Sequence, residues 1–319
     1  MNIYAYLYKI IIIIIIIMIV QCLDVNGIKY NIEKLGVDLN NTNLHDLHIK
    51  IATSKNFIIY IYIENDANNE NEVNNINNIN INLTQLNILN ILNLDNAQLI
   101  NIPDDLEKIQ KLHILTISEN MLIKVPNTIG QLTYLTYLNL SYNQITKLPH
   151  EIEKLKNLTY LNLSYNKIQK LSHFIGKLTK LYELDIHNNK LIKLPTSIGN
   201  LVNLTILYLD NNKLIKVPNT IGNLTNLTNL YLNDNNLIKL PYTIGNLKKL
   251  THLYLSYNQI TKLPLTITNL INLQAFYYHT NLINNLSHHT IYNFVKTFNE
   301  LDLLDLICDS DDVSCISYV

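Results

Sequence analysis

Through most of the chain, apolar and polar positions follow one frame that returns every 23 residues. One unit reads Leu138, Leu140, Asn143, Ile145, Leu148 and Pro149; another reads Leu230, Leu232, Asn235, Leu237, Leu240 and Pro241. Two leucines separated by one residue predict a short strand with both leucines on the same face. The later apolar positions predict a return segment. No unit of this kind buries its apolar face alone, so the units must stack. The expected fold is an α/β solenoid, with a parallel concave β-sheet, short helical or 3-10 convex segments, and a cap at each end.

Asparagine marks each unit, at Asn120, Asn143, Asn166, Asn189, Asn212, Asn235, Asn258 and Asn281, with Ala97 one period earlier. An amide both donates and accepts, which suits a buried turn with backbone groups to satisfy; aspartate could only accept. Pro126, Pro149, Pro195, Pro218, Pro241 or Pro264 follows, then Ile-Gly, as at Ile198-Gly199 and Ile221-Gly222. Proline is expected to end the strand-side segment and glycine to permit a tight bend. Ser172 stands where proline is expected, and Thr268 where glycine is.

The string from Leu-Pro through Ile-Gly and the spaced leucines to Asn resembles the typical 23-residue leucine-rich repeats of the Ras-group type. That type is known from plant intracellular Ras-group proteins, animal Ras-pathway scaffolds and fungal adenylate cyclase. The likeness covers residues 86–286, about nine units. It implies a leucine-rich repeat horseshoe that binds another protein on its concave face. It implies no particular partner, because the frame is shared whatever is bound.

The flanks depart from the frame. Residues 10–20 are uninterruptedly apolar and follow Lys9. A helix of that length reaches ~16 Å against a hydrocarbon core of ~30 Å, which fits a cleaved signal within residues 1–22. Extension back to residue 3 would give an anchor with Lys9 inside it. Either places the repeats outside the cytosol. An isoleucine-coding tract without targeting meaning leaves them in the cytoplasm, the setting the Ras-group resemblance implies. Residues 23–85 are expected to form an N-terminal cap, with a hairpin over 48–52 and 57–63 and an Asn-rich loop over 65–82. Residues 287–319 are expected to form a capping helix and an acidic tail.

Charge narrows the partner class. The net charge is −1, and the 24 basic residues are all lysine, so the forked donor that grips phosphate or reads guanine is missing. Nucleic acid is therefore not the expected partner. Lysine as the sole basic residue, the absence of Trp and the heavy use of Asn, Ile, Leu and Tyr also carry the coding bias of an AT-rich genome. Positions four before each Asn should line the concave sheet, and they end in Tyr208, Tyr231, Tyr254 and Tyr277, a ladder of stiff surfaces with polar tips. Asp185, His187, Asp210 and Asp234 lie beside it, so the partner-binding face is expected to be tyrosine-rich and weakly acidic. A lysine column four after each Asn, from Lys124 to Lys262, predicts a basic stripe elsewhere.

Enzyme motifs are missing: no phosphate-binding glycine loop, no zinc-type cysteine pairs, no His-Glu-x-x-His and no Gly-x-Ser-x-Gly. No cofactor, metal or catalytic residue is expected. Cys308 and Cys315 are close enough in sequence for one local disulfide. Sequons occur at nine asparagines, including Asn139 and Asn162 on the expected concave strands. The expectation is a non-enzymatic protein-binding solenoid. The alternatives are a membrane-anchored or surface-displayed structural ectodomain, held through the N-terminal segment, and an intracellular Ras-type scaffold.

Overall fold

The computed structural model describes residues 90–283, apart from 98, 103–105 and 107, together with the backbone of two earlier strands. The expected signal or anchor, the Asn-rich loop, the C-terminal helix and tail, and the Cys308–Cys315 pair lie outside the described residues.

The two earlier strands, β1 (Leu47–Thr53) and β2 (Phe57–Ile63), pair antiparallel from Leu47↔Ile63 to Thr53↔Phe57. They form their own two-stranded sheet.

Nine three-residue strands follow: β3 (Ile91–Asn93), β4 (Ile114–Thr116), β5 (Tyr137–Asn139), β6 (Tyr160–Asn162), β7 (Glu183–Asp185), β8 (Ile206–Tyr208), β9 (Asn229–Tyr231), β10 (His252–Tyr254) and β11 (Ala275–Tyr277). They build one parallel sheet in sequence order, each strand pairing with the residue 23 positions on, as in Leu184↔Leu207 and Leu207↔Leu230. The register follows from the pleat. The central leucine of each strand and the apolar residue two later point into the stack, so a slip of one residue would expose a whole column. In the unit of β8, Leu207, Leu209, Leu214, Ile221, Leu224 and Leu227 are all fully buried. At about 1.5–3 kcal/mol for each buried side chain, these columns dominate the stability of the stack.

The recurring asparagines tie adjacent turns together. Asn189 Oδ1 accepts the Ile168 backbone N–H at 2.9 Å, and its Nδ2 donates to Leu163 O at 2.8 Å and to Ile186 O and His187 O at 3.2 Å. The same pattern runs from Asn120 to Asn281, where the Oδ1 accepts from Ile260 N–H at 2.9 Å. At Ala97 the position holds no amide, and its backbone N–H is taken by Asn120 Oδ1 at 3.0 Å.

Convex returns are five-residue 3-10 turns, such as Thr196–Asn200 and Asn219–Asn223. Their prolines stand at the N-cap with φ near −70°, the angle the ring imposes, so they start the turn as well as ending the preceding segment. Ser172 takes the same place by accepting the Phe174 N–H on its hydroxyl.

The glycines correct the expected reason for their presence. None of Gly130, Gly176, Gly199, Gly222 and Gly245 adopts a left-handed backbone, so no tight bend requires them. Close approach does: a Cβ on Gly130 would lie 2.6 Å from the Glu151 carbonyl oxygen in the next turn. Among the described residues no helix is long and apolar enough to cross a membrane.

Candidate functional site: the concave face

Because the central residue of each strand points inward, its two neighbours point outward onto the concave face. The later neighbour forms the ladder. Tyr208, Tyr231, Tyr254 and Tyr277 are mutual cross-strand partners, with ring centroids 4.5, 4.5 and 4.9 Å apart and interplanar angles of 18°, 8° and 9°. Each ring is partly buried by its neighbours. Burial first, and then the neighbouring tyrosine and the carboxylates of Glu183 and Asp185, push the Tyr208 phenol up to about 12; burial likewise raises Tyr254. The Tyr208 and Tyr254 hydroxyls therefore stay protonated and able to donate.

The ladder floors an open groove of about 560 Å³, walled by Asp210 and Asp234, with His187 and His279 among its lining. Desolvation raises the Asp210 carboxyl above its ordinary range, an effect opposed by the nearby His187 and by the Asn211 amide that donates to it at 3.2 Å. Asp234 accepts from Asn233 Nδ2 at 2.9 Å.

Asp185 differs from the surface position expected of it. It is only 7% exposed. Its Oδ1 lies 2.6 Å from His187 Nδ1 and accepts the His187 backbone N–H at 3.1 Å, so the carboxylate is folded back on its own turn. Asn139 and Asn162, at the same register, accept the backbone N–H two residues on in the same way, at 3.0 and 2.8 Å. Burial lowers the His187 pKa, but the Asp185 hydrogen bond and the charges of Asp185 and Asp210 outweigh it, leaving the imidazole above its ordinary value. Burial, then Asp185, raises the Glu183 carboxyl.

A second aromatic group occupies the other half of the face. Tyr137 and Tyr160 stack at 4.2 Å and 1°, and Tyr142 and Tyr165 at 4.0 Å and 10°, with Tyr165 edge-on to His187 at 4.9 Å. The first pair stands six positions before the marker Asn, the outward position that opens each strand, and the strict alternation that located the ladder locates it too. The second pair belongs to a column in which the backbone is left-handed in every unit. Asn96, Glu119, Tyr142, Tyr165, Asn188, Asn211, Asp234, Tyr257 and Thr280 all have φ between 51° and 55°. Asparagine and aspartate tolerate that region; tyrosine and threonine are strained in it.

The lysine column runs past these turns, away from the concave sheet. Lys193, Lys216 and Lys239 are exposed beside Ile192, Ile215 and Ile238, which are exposed too. Among the described residues no group of three or more His, Cys, Asp or Glu side chains is placed to hold a metal ion.

This architecture is a leucine-rich repeat solenoid. A family profile described as leucine-rich repeat region matches residues 128–207 and 149–236, and one described as leucine rich repeat matches 226–247 and 249–270. The chain is a leucine-rich repeat protein. Among solved structures it is similar to a leucine-rich repeat protein of Leptospira interrogans, with 34% identity and a TM-score of 0.63 over 68% of this chain and 55% of that one. It is similar to an internalin of Listeria monocytogenes, with 27% identity and a TM-score of 0.59 over 66% and 60% of the two chains. It is also similar to the plant peptide hormone receptor RGFR1 in complex with RGF2, with 30% identity and a TM-score of 0.57 over 62% and 33%. The chain thus spans between 33% and 60% of the length of these structures. Comparison with curated proteins finds no match.

Proposed function

We propose that the chain is a non-enzymatic interaction module that binds a protein partner on its concave face, through the half that carries Tyr208, Tyr231, Tyr254 and Tyr277. The observation that carries this is the ladder itself: four stacked phenols on an open groove that no described element covers. Tyrosine offers contact area with few rotors to immobilise, and its hydroxyl adds directional bonds. Nine strands at about 4.8 Å give ~40 Å of face, enough for a standard patch of ~800 Å². A plant receptor of the same fold, solved in complex with RGF2, supports a protein or peptide as the ligand class.

The test is selection of phage-displayed peptides on the full chain, with counter-selection on the Tyr231→Ala/Tyr254→Ala variant. Binders should lose at least about tenfold in affinity for the variant. Equal affinity of every binder for the two forms would remove the assigned face.

For location, residues 10–20 favour repeats outside the cytosol, secreted or held at a membrane; the Ras-group frame favours an intracellular scaffold. N-terminal sequencing and intact mass from eukaryotic cells, with and without a glycosidase, separate them. A start near Leu23 with a glycan-dependent mass supports secretion, and an unmodified N-terminus without sugar supports the scaffold.

A further inference from the structure

Carboxylates and lysines are sorted onto different parts of the solenoid. The outward positions of the concave strands, the residue two before each marker position and the left-handed rim carry Asp95, Glu119, Glu183, Asp185, Asp210 and Asp234, and between residues 90 and 283 these three sets carry no lysine. Lysines of the same span stand elsewhere, as in the exposed column that includes Lys193, Lys216 and Lys239. In a chain of net charge −1 this sorting leaves the concave face electronegative.

Inside the groove the acidic groups are held by amides, Asp210 by Asn211 and Asp234 by Asn233, and among the described residues the ion pair on this face is that of His187 with Asp185. Burial raises the Glu183 and Asp210 carboxyls, and at Asp210 the nearby His187 offsets this only in part. The tyrosines direct the rest. Stacked rings cover one another's faces, so what they present outward is ring edge and hydroxyl oxygen, an apolar strip bordered by acceptors.

We infer that the groove takes an extended, lysine- or arginine-rich segment of a partner protein, with its cationic heads at Asp210 and Asp234 and its aliphatic stems along the tyrosine strip. The inference rests on the concave-face reading proposed above and adds the chemistry of the partner.

Two measurements test it. Peptides selected for dependence on Tyr231 and Tyr254 should be enriched in lysine and arginine. A synthetic oligolysine peptide should bind the full chain about tenfold more weakly after Asp210→Asn/Asp234→Asn, and its affinity should fall steeply with added salt, whereas oligoglutamate should not bind. Asparagine already stands at these two registers in neighbouring units, at Asn233 and Asn211, so the variant keeps side chains that the fold accommodates. Ladder-dependent peptides that are neutral or acidic, or oligolysine binding unchanged by the double variant, would overturn the basic partner and leave the concave site standing. Absence of any ladder-dependent peptide would remove the site and the inference together.

Discussion

The asparagine spine and the concave carboxylates invite comparison, because they set nearly isosteric side chains in opposite surroundings. At the spine, Asn189 has its oxygen on a backbone N–H and its nitrogen on three carbonyls. On the face, Asp210 borders an open groove and accepts from an amide side chain. Burial with complete hydrogen bonding fixes residue identity at the first site. At the second, solvent access leaves identity to whatever the face must recognise.

Exchange of one oxygen for one nitrogen should therefore act in opposite senses. Asn189→Asp puts a carboxylate against the Leu163, Ile186 and His187 carbonyls, and an unpaired buried charge costs about 3–5 kcal/mol. In a stack held by nearest-neighbour contacts the loss should also divide the unfolding transition, with the units on either side of Asn189 melting apart. Asp210→Asn removes a charge that burial already disfavours, and should change stability by less than about 1 kcal/mol, toward stabilisation. Thermal unfolding of the two variants beside the full chain measures both. Similar losses in the two would abolish the distinction between spine and face.

Protons sharpen the same contrast, because the titrating groups with altered affinity lie on the face. His187 has a folded-state pKa above its ordinary 6.5, so it contributes stability that is fully present below 6.5 and is lost as pH rises through the folded value. Glu183 and Asp210 also bind protons more tightly when folded. Their charge opposes folding above the raised values, and the opposition fades as pH falls toward the ordinary 4.5 and 3.8. All three signs agree: the melting temperature should rise as pH is lowered from about 8 to about 6 through His187, and the carboxylates should add to the rise below that. His187→Asn should flatten the upper part of the curve. A wild-type curve that falls over this window would show that Asp185 and Asp210 do not raise the His187 pKa on folding.

Legibility from sequence divides along the same line. The leucine columns and the asparagine were readable because each must recur wherever a unit stacks, and periodicity is what a single sequence displays. The ladder was readable from alternation alone. Glycine was found but for another reason, since close approach between turns is a property of two units and no single unit displays it. Asp185 was misplaced because its register is outward while its side chain folds back onto the His187 N–H. Asn139 and Asn162 hold the same local turn, so a short acceptor two residues before a strand-end N–H is the signal that could have found it. Tyr137 and Tyr160 needed only the second outward column.

The smallest effect is the most direct probe of whether the rim tyrosines serve stability. Tyr257 sits at φ 55° and is 52% exposed, and its recorded ring contact is an edge approach to His279 at 5.3 Å. The left-handed backbone costs an ordinary side chain about 1 kcal/mol or more, whereas asparagine tolerates it and occupies the same register at Asn96, Asn188 and Asn211. The edge contact is worth about 0.5 kcal/mol at the lower end of aromatic pairs. Tyr257→Asn should thus gain about 0.5 kcal/mol, a rise in melting temperature of about 1–2 °C for a stack of this size. A gain means that the backbone strain is retained for the surface Tyr257 presents at the groove, and the same variant should weaken ladder-dependent binders. A loss of stability would mean that tyrosine packs this turn better than asparagine does, and the rim would then belong with the spine.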